Sequence, residues 1–162
     1  MLAAITLPIA ALACIAYGGW TVTARRAIFA ELADGQAVSL DAAQESDRLH
    51  GVLLWTALAA LAVSAVLWLL AHLLRRKPLG IVGFTAMALW VIGLLTALGG
   101  AYVTSLVDGD VAAAGTGAVG FVIMGIGILL VAVGAIAAVI ALFARPARPE
   151  TPVAGFAGWR PS

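Results

Sequence analysis

The sequence predicts an all-α fold: a polytopic membrane protein built as a four-helix up-and-down transmembrane bundle, with a helical hairpin protruding between helices 1 and 2. Three observations lead there. Of 162 residues, 64% are hydrophobic and 10% charged, with a mean hydropathy of +1.11; soluble domains run at about 45–50% apolar and about 25% charged. The apolar residues gather into four runs, each near the ~20 residues that carry a helix across a bilayer. The second of these runs lies on a helical segment too long for the membrane alone.

Residues 1–144 form the four-helix domain, with spans at about 2–22, 52–74, 79–104 and 114–143. The hairpin is 23–51, and 145–162 is a Pro/Arg-containing cytoplasmic tail. In the first span, Pro8 predicts a kink or a late start, and Tyr17 and Trp20 sit where aromatic rings favour the headgroup level. A cleaved signal peptide is disfavoured, because Arg25-Arg26 follow the apolar run instead of preceding it. Cys14 is the only cysteine, so one chain holds no disulfide. A lipobox over Ala11–Cys14 competes poorly with a small buried hydrophobe.

Beyond Val22 the helical period continues through Ala24, Ala27, Ile28 and Leu32, and Asp34-Gly35 stops it. Ser39 or Asp41 caps the next helix, and Asp41 with Gln44 has capping-box spacing. That helix runs from Leu40 to Arg76, about 54 Å against a hydrocarbon core of about 30 Å, so several turns stand clear. Folding the hairpin about 35–38 brings Arg25 or Arg26 to Glu45 or Asp47, with Ile28 and Leu32 near Leu40 and Ala43. Pro78 ends the second helix. A link of few residues makes helices two and three antiparallel neighbours. Asp108-Gly109-Asp110 forms the last turn. Four prolines with Arg and Gly describe an irregular tail, in which Phe156 and Trp159 beside Arg160 are candidates for headgroup contact.

Orientation follows from the basic residues. Arg75, Arg76 and Lys77, with Arg145, Arg148 and Arg160, define a cytoplasmic side holding both termini; Arg25, Arg26 and Arg48 lie opposite. The inverted topology is the alternative. One lysine beside eight arginines, in an alanine-rich chain, reads as the coding bias of a GC-rich bacterium. The expected location is therefore the bacterial cytoplasmic (inner) membrane.

Two regions are candidate partner interfaces. Helix four repeats small residues every seven positions, at Ala113, Gly120, Gly127 and Gly134, and small residues let helix backbones approach closely. Packing inside the chain and packing against a partner both fit that seam; Gly93 and Gly99-Gly100 add to it on helix three. The outer hairpin offers Asp41, Glu45, Asp47 and Arg48. A GGxxVT echo links Gly18–Thr23 with Gly99–Thr104, as a duplicated hairpin would.

The spans contain no Asp, Glu, Lys or Arg. Proton relays, ion-coupled transporters and voltage sensors place such groups there, and no Walker loop, HExxH or GxSxG is found. The reading is therefore not an enzyme, with no catalytic, cofactor or metal residues assigned. His50 and His72 lie about 33 Å apart on one helix and cannot share a haem. Ser64, Thr56, Thr85 and Thr96 are expected to bond their own helix backbones.

A first span, the polar stretch Ser39 to Asp47-Arg48-Leu49, and a long apolar helix ending in Trp68-Leu69, His72 and Arg75-Arg76 together resemble a family of uncharacterised actinobacterial membrane proteins, domain of unknown function 4328. The likeness covers about residues 20–77. It implies location and topology and carries no functional residues. The expected function is a non-catalytic accessory or scaffolding subunit of a larger membrane complex. Its partners are the lipid bilayer and other membrane subunits or a second copy, and not nucleic acid. The alternatives are a passive channel or lipid-binding protein using the helix-four groove, and a haem-binding redox subunit through His72.

Overall fold

Four long helices follow one another in the computed structural model, which describes residues 2–75, 80–107 and 113–144. They are α1 (Leu2–Ala33), α2 (Leu40–Arg75), α3 (Ile81–Ser105) and α4 (Ala114–Phe143), and each is long and apolar enough to cross a membrane. No strand occurs among the described residues. Arg76, Lys77, Pro78, the expected turn at Asp108–Asp110 and the expected tail lie outside them, and the described part of α2 ends at Arg75.

Helix α1 starts ahead of Pro8 and runs through it, so the proline does not delay the helix. It carries one irregularity, a π turn over Thr21–Arg25. In a regular α-helix, positions four apart drift by about 40° around the axis. The wider π turn offsets that drift. Tyr17, Thr21 and Arg25 thereby stay buried in line, with Phe29 the next at the same spacing. Asp34 and Gly35 end the helix, Gly35 at φ 73°, and the Ser39 hydroxyl accepts the Ala42 N–H at 3.2 Å to cap α2. Asp41 sits in the first turn of α2, where the N–H groups favour a carboxylate.

The helices form an open arc in the order α2–α1–α4–α3. Helix α1 packs on α2 and α4, and α4 on α3. The short link does not make α2 and α3 close neighbours along their length. They meet near their linked ends, where the Trp68 and Trp90 rings lie 5.4 Å apart edge to face, and the Trp68 indole N–H donates to the Ala138 carbonyl of α4 at 3.2 Å.

The cause is the distribution of small residues. A Cβ on Gly127 would stand 2.5 Å from the Gly93 carbonyl oxygen, and one on Gly120 3.0 Å from that of Gly100, so α3 and α4 touch backbone to backbone. Helix α2 offers no such stripe. Its buried positions Ala57, Leu61 and Trp68 join Leu7, Ala11 and Cys14 of α1 in the core. Elsewhere the bundle turns leucine, isoleucine and valine outward, as at Leu12, Val66, Leu95 and Ile140, a surface suited to lipid and not to water.

The α1–α2 hairpin is no separate two-helix unit. Beyond the π turn, α1 packs chiefly on α4, through Phe29 against Phe121 with centroids 4.8 Å apart. The main apolar contact of that segment is thus with α4, not the expected one with Leu40 and Ala43. The GGxxVT echo has no structural counterpart either. Gly18 is packed and Gly19 open in the first copy, whereas Gly99 is open and Gly100 packed in the second.

Candidate functional site, an amphipathic cleft between α2 and α3

Where α2 and α3 part, they leave a cleft of about 640 Å³. That lies inside the roughly 300–1,000 Å³ typical of ligand sites. Its walls are apolar: Leu54 and Leu58 on α2, Leu94, Ala97 and Leu98 on α3, and Ile128 on α4. Leu94 and Leu98 are themselves exposed on the bundle surface, so the cleft opens sideways between the two helices. Along α3 it extends from Leu94 to Ser105, about 16 Å at 1.5 Å per residue and close to half of a hydrocarbon core of about 30 Å.

Polar groups gather at one end, beside the α1–α2 turn and the Thr104–Val107 end of α3. Arg25 is the central one. It is 8% exposed, inside a segment that sequence reasoning placed in an outer hairpin. One terminal guanidinium nitrogen donates to Ser46 Oγ at 2.8 Å and the other pairs with Asp47 at 2.5 Å. The guanidinium carbon lies 5.0 Å from the Phe121 ring centroid and 5.4 Å from that of Phe29, a cation–π setting. Its Nε–H is buried and has no hydrogen-bond partner. Asp47, in contrast, is 71% exposed.

Tyr17 and His50 complete this end. The Tyr17 hydroxyl donates to Met124 Sδ at 3.6 Å and lies 3.4 Å from His50 Nδ1. Burial pushes the His50 pKa below its usual 6.5, and the Arg25 charge pushes it further down against the opposing pull of Asp47. Thr104 and Ser105 of α3 line the opposite rim. The result is an oily slot with one buried cation and several hydrogen-bonding groups at its polar end.

The candidate residues from the sequence fall elsewhere. Gly120, Gly127 and Gly134 lie between α4 and α3, the last against the Trp90 ring and the Ala86 carbonyl. That stretch of the seam is therefore covered by this chain's own backbone. Asp41, Glu45, Asp47 and Arg48 are exposed on one stretch of α2, with Arg48 3.7 Å from Glu45. The pairing of Arg25 or Arg26 with Glu45 or Asp47 resolves to Arg25–Asp47. Arg26 instead lines a shallow 330 Å³ depression with Asp34 and Gly115. His72 packs at a tilt of 52° on Trp68, and its Nδ1 lies 3.1 Å from the Trp68 carbonyl oxygen. Among the described residues, no three His, Cys, Asp or Glu side chains converge as a metal site would require.

No family model matches the chain, and no curated protein or solved structure does so either. Sequence reasoning missed Tyr17, Arg25 and His50 as a group. The available signal was the four-residue spacing Tyr17, Thr21, Arg25 and Phe29, which keeps one face only if the helix widens.

Proposed function

We propose that this is a non-catalytic, multi-pass protein of the bacterial inner membrane that holds a lipid-like amphiphile in the cleft between α2 and α3. The observation that carries the reading is the cleft's division into a long apolar slot with a sideways opening and one polar end holding Arg25, Tyr17 and His50. A slot about half a bilayer deep matches one leaflet, and its polar end then lies at the headgroup level of the outer leaflet, with both termini cytoplasmic. The absence of charge along the spans favours a passive binding site over ion-coupled transport. Chain purified in mild detergent is expected to carry lipid that native mass spectrometry resolves. Ala101→Phe, which fills the slot, should remove it. Equal lipid on both proteins would sink the reading.

A second reading is an accessory or scaffolding subunit of a larger membrane complex. It is favoured by the exposed stretch Asp41, Glu45, Asp47 and Arg48 beside Leu40 and Trp55, which are 70% and 71% exposed. Gentle cross-linking followed by co-purification tests it. A protein that runs as a lone monomer after Asp41- and Glu45-directed cross-linking counts against it.

A further inference from the structure

We propose that the cleft selects a single-chain amphiphile with an anionic headgroup, phosphate or carboxylate, and that Asp47 occupies the headgroup position on Arg25 until the ligand displaces it. This rests on the reading of the cleft as an amphiphile site and goes beyond it by naming the charge and the exchange.

The argument starts from the cost of Arg25. A guanidinium at 8% exposure has given up most of its hydration, and a buried charge with incomplete pairing is expensive. Its donors are unequally served. Ser46 is a neutral acceptor, the Nε–H has no partner, and the only counter-charge is a carboxylate whose side chain is 71% exposed. An exposed carboxylate keeps much of its own hydration, so it is the partner that gives way when another anion takes over the guanidinium. An anion entering from the cleft side has two advantages over Asp47. It meets a guanidinium that is only 8% exposed, where its attraction is less screened than at the surface position of Asp47, and once the side chain turns its buried Nε edge toward the cleft it gains the two-pronged geometry that guanidinium offers carboxylate and phosphate.

The charge balances through the exchange: Arg25 keeps one anion throughout, and Asp47 turns out to solvent. The tail is fixed by the slot. One leaflet's depth and about 640 Å³ suit a single acyl chain lying along Leu54, Leu58, Leu94, Leu98 and Ile128. Tyr17 and His50 can then donate or accept at the remaining headgroup oxygens.

The test uses the full chain in nanodiscs of a zwitterionic lipid, with hexadecyl phosphate, hexadecylphosphocholine and hexadecanol as probes, inorganic phosphate as a fourth, and Ala101→Phe as the blocked control. Hexadecyl phosphate is expected to bind at least tenfold more tightly than hexadecanol. Arg25→Gln should bring that ratio close to one. Asp47→Asn keeps the size of that side chain and removes the competing charge, so it should tighten hexadecyl phosphate severalfold and leave hexadecanol unchanged. Equal binding of all three amphiphiles, lost in Ala101→Phe, overturns the anionic selection while leaving the cleft as an amphiphile site. Binding that Asp47→Asn leaves unchanged overturns the exchange. Binding of inorganic phosphate as tight as that of hexadecyl phosphate makes the polar end a water-facing anion site and overturns the amphiphile. No binding by any probe, or binding insensitive to Ala101→Phe, overturns the cleft reading and this inference together.

Discussion

Substituting Gly127 by alanine tests whether the α3–α4 seam holds the bundle together. The added Cβ would meet the Gly93 carbonyl oxygen at 2.5 Å and also the Ala97 backbone nitrogen, where ordinary contact begins at 3.4 Å. Both neighbours are helix backbone and neither can swing aside, so α3 and α4 must part by about 1 Å. A gap of about 0.5–1 Å forfeits roughly a quarter to a half of the dispersion energy of each atom pair across it. Since Gly100 and Gly120 lie on the same pair of helices, the loss spreads along the seam. Overpacking of this kind costs about 1–3 kcal/mol. Gly99→Ala is the matched control, because a Cβ there meets nothing within 4 Å. Unfolding followed by circular dichroism during titration of a mild-detergent sample with SDS should show Gly127→Ala destabilised and Gly99→Ala close to wild type. Equal stabilities would refute the argument.

Gly35→Ala should cost about 1 kcal/mol in the same titration, since its φ of 73° strains any side chain although the space around it is open; Gly51→Ala should cost nothing comparable. The Ser64 hydroxyl is fully buried without a partner, so Ser64→Ala should gain about 0.5–1 kcal/mol, and a loss would show an unseen bond. Trp68→Phe removes the indole bond to the Ala138 carbonyl and should cost about 1 kcal/mol. His50 is held neutral by burial, its folded pKa lying below 6.5. Its contribution is therefore complete above pH 6.5 and declines as pH falls from there toward the folded value, where the unfolded chain binds a proton that the folded chain does not. Thermal unfolding between pH 7 and 5 should show that slope, and His50→Asn should flatten it.

Element identity was legible because four apolar runs leave a helix few alternatives, and the start of α2 after Ser39 and the end of α4 at Phe143 lie where the sequence puts them. The hydroxyls of Thr56, Thr85 and Thr96 bond the carbonyls of Val52, Ile81 and Ile92, as their positions imply, whereas that of Ser64, expected to do the same, has no partner. The placement of helices around the bundle was less legible. Link length ties α2 to α3 at one end only, and the close approach of Gly93 to Gly127 then decides which helix α3 follows. The site was hidden for a related reason. Arg25 reads from sequence as a residue past the end of a span, and only a π turn, which no composition or apolar period announces, rotates it under Phe29 and Phe121.

On the proposed reading, the gap between α2 and α3 would also set the concentration scale on which the protein responds. A ligand that enters sideways arrives already dissolved in the leaflet, so occupancy follows its mole fraction among the surrounding lipids and not its amount in the aqueous phase. Adding bilayer at constant ligand then empties the cleft by dilution, and adding buffer does not. Two leaflets of different composition would present the same chain with two different loads, and the proposed site would read only the leaflet on the Arg25 side.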